Sequence, residues 1–270
     1  MKKEQNLKRP VVSFILLTNI IFIPLFLLTG MTMMLGLPTV VFDMMLCIAS
    51  WSSTFAFLIL FKRLYLGQNI IVYVKSKFNN KINWKIVALI VLIQTLIFIG
   101  ITCIVGSKNN IGDALFTVSS IKMLVYFFFK NLLAGPLGEE LGWRGFAQQE
   151  LQKKHSPLKA AMIISFWWGI WHMPIWFTTG FIGKELVLYI LLFMISVIAI
   201  SIIMAAFYNL NKNLIITIII HQLFNLYIGL INGNIIEIVG YSAVFYGIVA
   251  ISLIIINPKQ SLYIKKKNNV

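Results

Sequence analysis

The sequence predicts an all-α, polytopic membrane protein, and three observations support that prediction. Of its 270 residues, 59% are hydrophobic and only 11% are charged, whereas a soluble domain has roughly 25% charged residues. Long apolar stretches recur from Val11 to Ile256, so the low charge extends over the whole chain. The basic residues gather in the short connections between these stretches. We therefore expect a single membrane domain, residues 1–270, with about eight transmembrane helices.

The apolar stretches define the individual spans. A membrane-spanning helix needs about 20 mostly apolar residues. The segments that meet or nearly meet this length are 11–35, 38–61, 84–106, 114–138, 157–178, 185–207, 213–232 and 236–256. The fourth and seventh are the least apolar, because they carry Lys122, Lys130, His221 and Asn225.

The distribution of Lys and Arg predicts the orientation. With eight spans and a cytosolic N-terminus, all but four of the 23 Lys and Arg fall in regions that face the cytosol. Lys108 and Lys184 lie in outer loops, and Lys122 and Lys130 lie in the fourth segment. This bias follows the positive-inside rule and places both termini in the cytosol of a multi-pass cell-membrane protein. The cytosolic clustering of Lys and Arg also explains the net charge of +15 without a nucleic-acid partner. A residue usage rich in Ile, Asn and Lys favours a bacterial source.

Two adjacent carboxylates follow the fourth segment. Glu139 and Glu140 stand in the run Gly-Pro-Leu-Gly-Glu-Glu-Leu-Gly-Trp-Arg-Gly-Phe. Arg144 follows Glu140 by four residues, which is one helical turn, and can neutralise that carboxylate. Glu139 would then be free to act as a base. An ordinary ion pair at a helix end is the alternative interpretation.

Two of the three histidines lie inside apolar segments, where an ionisable side chain is costly and usually faces the interior of the bundle. His172 precedes Met173 and Pro174, and His221 follows an apolar run. Asn225 comes four residues after His221, so both side chains share one helix face. Such a pair can donate hydrogen bonds to a developing oxyanion or can form a structural contact between helices.

Other polar and aromatic side chains have simpler interpretations. Lys130 is expected to pair with a carboxylate elsewhere in the chain. The tryptophans at 167, 168, 171 and 176 could line a substrate groove, but anchoring at the membrane interface is the favoured interpretation.

Together these runs resemble the CAAX protease and bacteriocin-processing family, which includes the type II CAAX prenyl endopeptidases. The motif Glu-Glu-x-x-x-Arg is present as Glu139, Glu140 and Arg144. The second motif, an aromatic residue and a histidine four positions later, has Trp168 in place of the usual Phe, followed by His172. The third, His-x-x-x-Asn, is matched by His221 and Asn225, so the resemblance covers a core of residues 115–232.

The resemblance implies an intramembrane endopeptidase that acts at the cytosolic side of the membrane. Glu139 with His172 would activate a hydrolytic water, and His221 with Asn225 would stabilise the oxyanion. Glu140 and Arg144 would support the site or contact the peptide. The replacement of Phe by Trp168 is expected to affect only the shape of the groove. The expected partners are the lipid bilayer and a short peptide or membrane-protein substrate, such as a pheromone or bacteriocin precursor.

The sequence leaves the requirement for a metal open. Glu139, His172 and His221 could complete a three-ligand zinc site with an open fourth position. The His-Glu-x-x-His helix of soluble zinc proteases is absent from the sequence. A metal-free glutamate mechanism is therefore slightly favoured over a metalloprotease.

Two other functions compete with the peptidase. A membrane scaffold or regulator, active in bacteriocin immunity or signalling, would bind without cleaving. The presence of all the proposed polar groups favours the enzyme over that interpretation. A proton-coupled transporter would use the same polar groups as a relay, but transporters often consist of repeated halves, and the sequence shows no such symmetry.

Overall fold

A computed structural model describes residues 9–108 and 120–264, and most of them are helical. In chain order the helices are α1 (Pro10–Met34), α2 (Thr39–Ser50), α3 (Ser52–Leu64), α4 (Ile70–Ser76), α5 (Trp84–Lys108), α6 (Ile121–Leu133), α7 (Pro136–Glu140), α8 (Gln149–Gln152), α9 (Pro157–Trp171), α10 (Met173–Trp176), α11 (Gly183–Asn211), α12 (Ile215–Leu230) and α13 (Ile235–Ile256). A π-helical segment, Leu141–Gln148, joins α7 to α8, and a 3-10 helix, Pro258–Gln260, follows α13. The predicted all-α fold is confirmed.

Several of these helices suit a membrane. Within the two described ranges, α1, α5, α11 and α13 are long and apolar enough to cross it. Helices α2 and α3 meet at an angle of 40° and make a fifth crossing if they are counted as one span. Eight spans with both termini in the cytosol stay a prediction. The first residues of the predicted fourth segment, 114–119, lie outside the described residues. Residues 115–119 are also the first residues of the predicted core.

Three predicted spans are interrupted. The span 38–61 bends at Trp51. Helix α6 stops at Leu133, and Pro136 starts α7, where a missing N–H costs nothing. Helix α9 ends at Trp171, because the ring of Pro174 cannot be accommodated in a continuing helix. His172 therefore lies at the junction of α9 and α10.

Helix α11 lies at the centre of the bundle, in contact with α9, α12 and α13. On the other side, α1 packs on α2 and α3, and α3 packs on the π-helical segment. The closest approach there is at Gly142, where a Cβ atom would fall 2.7 Å from the backbone of Ser53. Only glycine allows this contact, which fixes α3 against the segment that follows the two carboxylates.

Aromatic contacts with α1 also hold the π-helical segment in place. The ring of Phe14 in α1 makes edge contacts with Trp143 at 5.2 Å and with Phe146 at 5.3 Å between centroids. All three rings are fully buried. Rings in this geometry contribute beyond their buried area, so α1 holds the segment in place although it carries no predicted site residue.

Lys130 forms an ion pair with Asp43 in α2. The Nζ of Lys130 lies 2.6 Å from Asp43 Oδ1, which joins α6 to α2. The hydroxyl of Tyr126, one turn earlier in α6, also donates to the Asp43 carboxylate. The expectation that Lys130 pairs with a carboxylate elsewhere in the chain is confirmed.

Candidate active site

The structure brings the six predicted site residues together from separate elements. Glu139 and Glu140 end α7, Arg144 lies in the π-helical segment, His172 lies at the α9–α10 junction, and His221 and Asn225 lie on α12. A cavity of about 210 Å³ is lined by all four residues predicted to be catalytic: Glu139, His172, His221 and Asn225. Glu140 and Arg144 are fully buried and are not part of its lining.

Glu140 is the acceptor for two cationic or ionisable side chains. Its Oε1 lies 3.2 Å from Arg144 Nη1 and 2.9 Å from His221 Nδ1. The ion pair expected from the four-residue spacing is therefore present. Because Glu140 also accepts from α12, it fixes the orientation of the His221 ring as well as neutralising Arg144.

Arg144 is held by more than its ion pair. Its Nη2 donates to the hydroxyl of Ser201 in α11 at 3.0 Å. The guanidinium carbon lies 3.9 Å from the centroid of the Trp168 ring, a cation–π contact that gains strength when it is desolvated. Sequence reasoning missed Ser201, because nothing distinguishes this serine from the others in an apolar helix.

Glu139 is positioned through its backbone and its side chain. Its Oε2 accepts a hydrogen bond from Trp168 Nε1 at 2.7 Å. Its carbonyl accepts from the hydroxyl of Ser53 in α3 at 3.2 Å. The side chain is buried but borders the cavity, so the carboxylate can contact a molecule inside it.

Asn225 lies close to the same carboxylate. A Cβ atom at Gly135 would be 3.0 Å from Asn225 Nδ2 and 3.9 Å from Glu139 Oε1. Both polar groups therefore lie beside the small gap left by Gly135, just before α7. A larger residue at this position would press on the Asn225 amide and on the Asn131 carbonyl, which lies 3.1 Å from the added Cβ.

The two histidines are each fixed through Nδ1. The Nδ1 of His172 lies 2.7 Å from the carbonyl oxygen of Trp168, which can only accept, so this nitrogen carries the proton. The Nδ1 of His221 faces the Glu140 carboxylate, which gives the same assignment. In the neutral form, Nε2 of each ring is then the unprotonated nitrogen, able to take a proton.

The tryptophans near His172 correct two expectations. Trp168, Trp171 and Trp176 are only 2%, 2% and 4% exposed, so interfacial anchoring is wrong for these three, and only Trp167 is well exposed. Trp168 and Trp171 instead line the cavity. The expectation that Trp168 alters only the groove shape is also wrong, because its indole N–H binds Glu139.

A second cavity of about 270 Å³ adjoins the first on the side of Asn225. Both cavities are lined by Phe193, Val197, Phe224 and Asn225. The remaining lining is mostly apolar, with contributions from α11, α12 and α13. The polar centre thus opens into a space suited to an apolar group.

Two tyrosines outside the predicted spans, Tyr65 and Tyr73, bind the part of the chain that follows the two carboxylates. Tyr65 Oη donates to Glu150 at 2.5 Å, and Tyr73 Oη donates to the carbonyl of Gly145 at 3.3 Å. Burial raises the pKa of Tyr73, which keeps its phenol protonated as the donor. Helix α4 is thereby attached to the segment that carries Arg144.

Three side chains of the site are candidate metal ligands. Glu139, His172 and His221 are the donor types that zinc prefers. However, among residues 9–108 and 120–264 no group of three His, Cys, Asp or Glu side chains is placed to hold a metal ion. The residues as placed do not fit the three-ligand zinc site that the sequence left open, and no chemical step is assigned to a metal.

The fold and this site define a helical membrane protein with a buried centre of carboxylates and histidines. Residues 121–227, which contain all six predicted site residues, match the family model described as type II CAAX prenyl endopeptidase Rce1-like. The chain is also 31% identical over 163 residues to CAAX prenyl protease 2 of Methanococcus maripaludis. That alignment covers 57% of this chain and 60% of the relative. Both matches support the CAAX protease and bacteriocin-processing family that the motifs indicated.

Proposed function

We propose that the protein is an intramembrane endopeptidase that hydrolyses a peptide bond in a short peptide or a membrane-associated protein, at the cytosolic side of the membrane. The observation that supports this most strongly is the single cavity lined by Glu139, His172, His221 and Asn225. This cavity combines candidate bases with a candidate oxyanion donor. The family matches independently favour a protease.

The hydrolytic step begins with a water held between Glu139 and His172. As its oxygen attacks the carbonyl carbon of the substrate, the water gives a proton to the Glu139 carboxylate, or to Nε2 of His172. The C–O bond forms, and the carbonyl oxygen becomes an oxyanion. When the C–N bond breaks, the stored proton passes to the leaving amine, so the side chains return to their initial state.

Asn225 and His221 stabilise the oxyanion in this proposal. The amide Nδ2 of Asn225 can donate directly. Nε2 of His221 can donate only when the ring carries both protons, because Nδ1 already faces Glu140. A carboxylate at Nδ1 is the usual partner of such a ring, which gives Glu140 a role behind the cavity.

The substrate is recognised through apolar groups. The catalytic cavity is walled by Phe22, Trp171 and Phe193 as well as by its polar residues. The adjoining 270 Å³ cavity can take an apolar side chain next to the scissile bond. An amphipathic peptide lying at the membrane surface has these properties.

A proteolysis assay on purified protein tests the proposal. Wild type, Glu139→Gln and His172→Ala would be reconstituted in nanodiscs and given a pool of fluorogenic peptides with apolar residues at varied positions. General acid–base residues contribute about 10²- to 10⁴-fold, so we expect a loss of that order in kcat/KM for either variant.

The matched control is Glu237→Gln. Glu237 lies in α13, is partly exposed and pairs with Lys108 at 2.9 Å, and it does not line the cavity. This variant makes the same chemical change and should retain wild-type cleavage. Equal rates for wild type and Glu139→Gln would contradict the proposal. Peptide binding without cleavage by wild type would favour a scaffold.

A further inference from the structure

Trp168 contacts four of the six predicted site residues. It donates from its ring to Glu139, stacks on Arg144, accepts from His172 through its carbonyl, and makes a ring-edge contact with His221. We infer that Trp168 is a positioning residue that holds the base, Glu139, in its reactive orientation, an inference that rests on the proposed function.

The indole hydrogen bond determines which carboxylate oxygen is available. Trp168 Nε1 lies 2.7 Å from Glu139 Oε2, a distance typical of a strong bond to an ionised acceptor. The N–H of an indole is fixed in the ring plane and cannot rotate to another partner. Because Oε2 already accepts from the indole, Oε1, which lies on the Gly135 side together with the Asn225 amide, is the oxygen more available to the water.

The face of the same ring is also fixed. The guanidinium of Arg144 lies over it at 3.9 Å and is itself anchored by Glu140 and Ser201. Trp168 is 2% exposed, so its ring is enclosed by protein groups and the cavity, away from bulk solvent. Trp168 thus connects the Glu140–Arg144 pair to Glu139 and makes the two carboxylates one rigid unit.

The residue usual in the family motif at this position, Phe, has no N–H and could not make this bond. The backbone contact to His172 would survive in a Phe variant, because it uses the Trp168 carbonyl. The substitution Trp168→Phe therefore removes one hydrogen bond while it keeps an aromatic ring of a type that suits the site.

A donated hydrogen bond stabilises the charged form of a carboxylate. Loss of the Trp168–Glu139 hydrogen bond should therefore change the pH dependence of catalysis. The other charged and titratable groups around Glu139 are Glu140 on α7, Arg144 on the π-helical segment, His172 at the α9–α10 junction and His221 on α12. None of them changes in Trp168→Phe. The acidic limb of the kcat/KM profile should move to higher pH, by about one pH unit.

The experiment compares Trp168→Phe with Trp176→Phe across the pH range. Trp176 is also buried, lies outside the cavity lining, and its Nε1 has no hydrogen-bond partner in the described part of the chain. We expect Trp168→Phe to lose about 10- to 100-fold in kcat/KM at neutral pH, mainly in kcat. Trp176→Phe should keep both the rate and the acidic limb. Identical profiles for the two variants would overturn the inference.

An activity-independent measurement separates this inference from the proposed function. Ultraviolet resonance Raman difference spectra, wild type minus Trp168→Phe, isolate the indole N–H of Trp168. In wild type we expect this N–H to be strongly hydrogen-bonded, and in Glu139→Ala we expect the hydrogen bond to be lost. A free N–H in wild type would refute the contact even if peptides are cleaved. A bonded N–H with no cleavage by wild type would refute the proposed function, and with it the positioning role.

Discussion

Arg144 and Glu140 form an ion pair in which neither side chain is exposed to solvent, with 3.2 Å between Nη1 and Oε1. Removing one member of a buried pair leaves an uncompensated charge, which costs about 3–5 kcal/mol. We therefore expect Arg144→Met to lower the melting temperature of the protein in detergent substantially. Thermal unfolding followed by circular dichroism would measure it.

The double variant Arg144→Met with Glu140→Gln is the control for that prediction. It removes both charges together, so the stability should recover most of the loss seen in Arg144→Met, while cleavage should remain impaired. A double variant no more stable than Arg144→Met would show that packing around the guanidinium, and not charge, dominates the cost.

Asn225→Ala should impair the chemical step more than substrate binding. The loss of one oxyanion donor costs about 10²- to 10³-fold in kcat, whereas KM should change little. Steady-state kinetics on a cleaved peptide would show this division. Asn209→Ala, which removes a similar amide that bonds to Ala205 on α11 and to Lys212 just after that helix, serves as the matched control. A change confined to KM would argue against the oxyanion role.

Gly142→Ala should destabilise the fold without changing any reactive group. Its Cβ would fall 2.7 Å from the Ser53 backbone, so α3 must move, at a cost of about 1–3 kcal/mol. Because Ser53 also donates to the Glu139 carbonyl, activity should fall with stability. Gly247→Ala, where a Cβ would meet nothing within 4 Å, should keep wild-type activity and should not lower stability, because alanine is the better helix former. Wild-type stability in Gly142→Ala would mean that the contact is looser than described.

Treatment with a chelator should leave cleavage intact. The described residues offer no three-ligand group for a metal, and the proposed mechanism uses side chains only. Activity would be followed with and without 1,10-phenanthroline, alongside metal analysis of the purified protein. Inactivation by the chelator and recovery with zinc would instead require Glu139, His172 and His221 to rearrange around an ion.

The sequence was most informative about local spacing and about polar side chains in apolar surroundings. The four-residue spacing of Glu140 and Arg144 predicted their ion pair, since it needs only one helical turn. The scarcity of ionisable groups in the spans marked His172 and His221, because such groups are costly there. These signals require no knowledge of how the helices pack.

Contacts between distant elements could not be predicted in the same way. Ser201 and Ser53 are indistinguishable from other serines until α11 and α3 are placed against the site. The role of Trp168 depends on an indole orientation that no spacing rule gives. The interruptions at Trp51 and His172 were also missed, because long apolar stretches were interpreted as straight spans.

The locality of the Glu140–Arg144 pair has a consequence for biogenesis. If the only partner of a carboxylate lay on a later helix, the carboxylate would enter the bilayer unpaired. It would stay unpaired until that helix was synthesised. Here both charges belong to one turn, so the ion pair can enter the bilayer as a neutral unit before the helices that carry Ser201 and His221 are synthesised. The most polar part of the chain thus carries its own counter-charge during assembly.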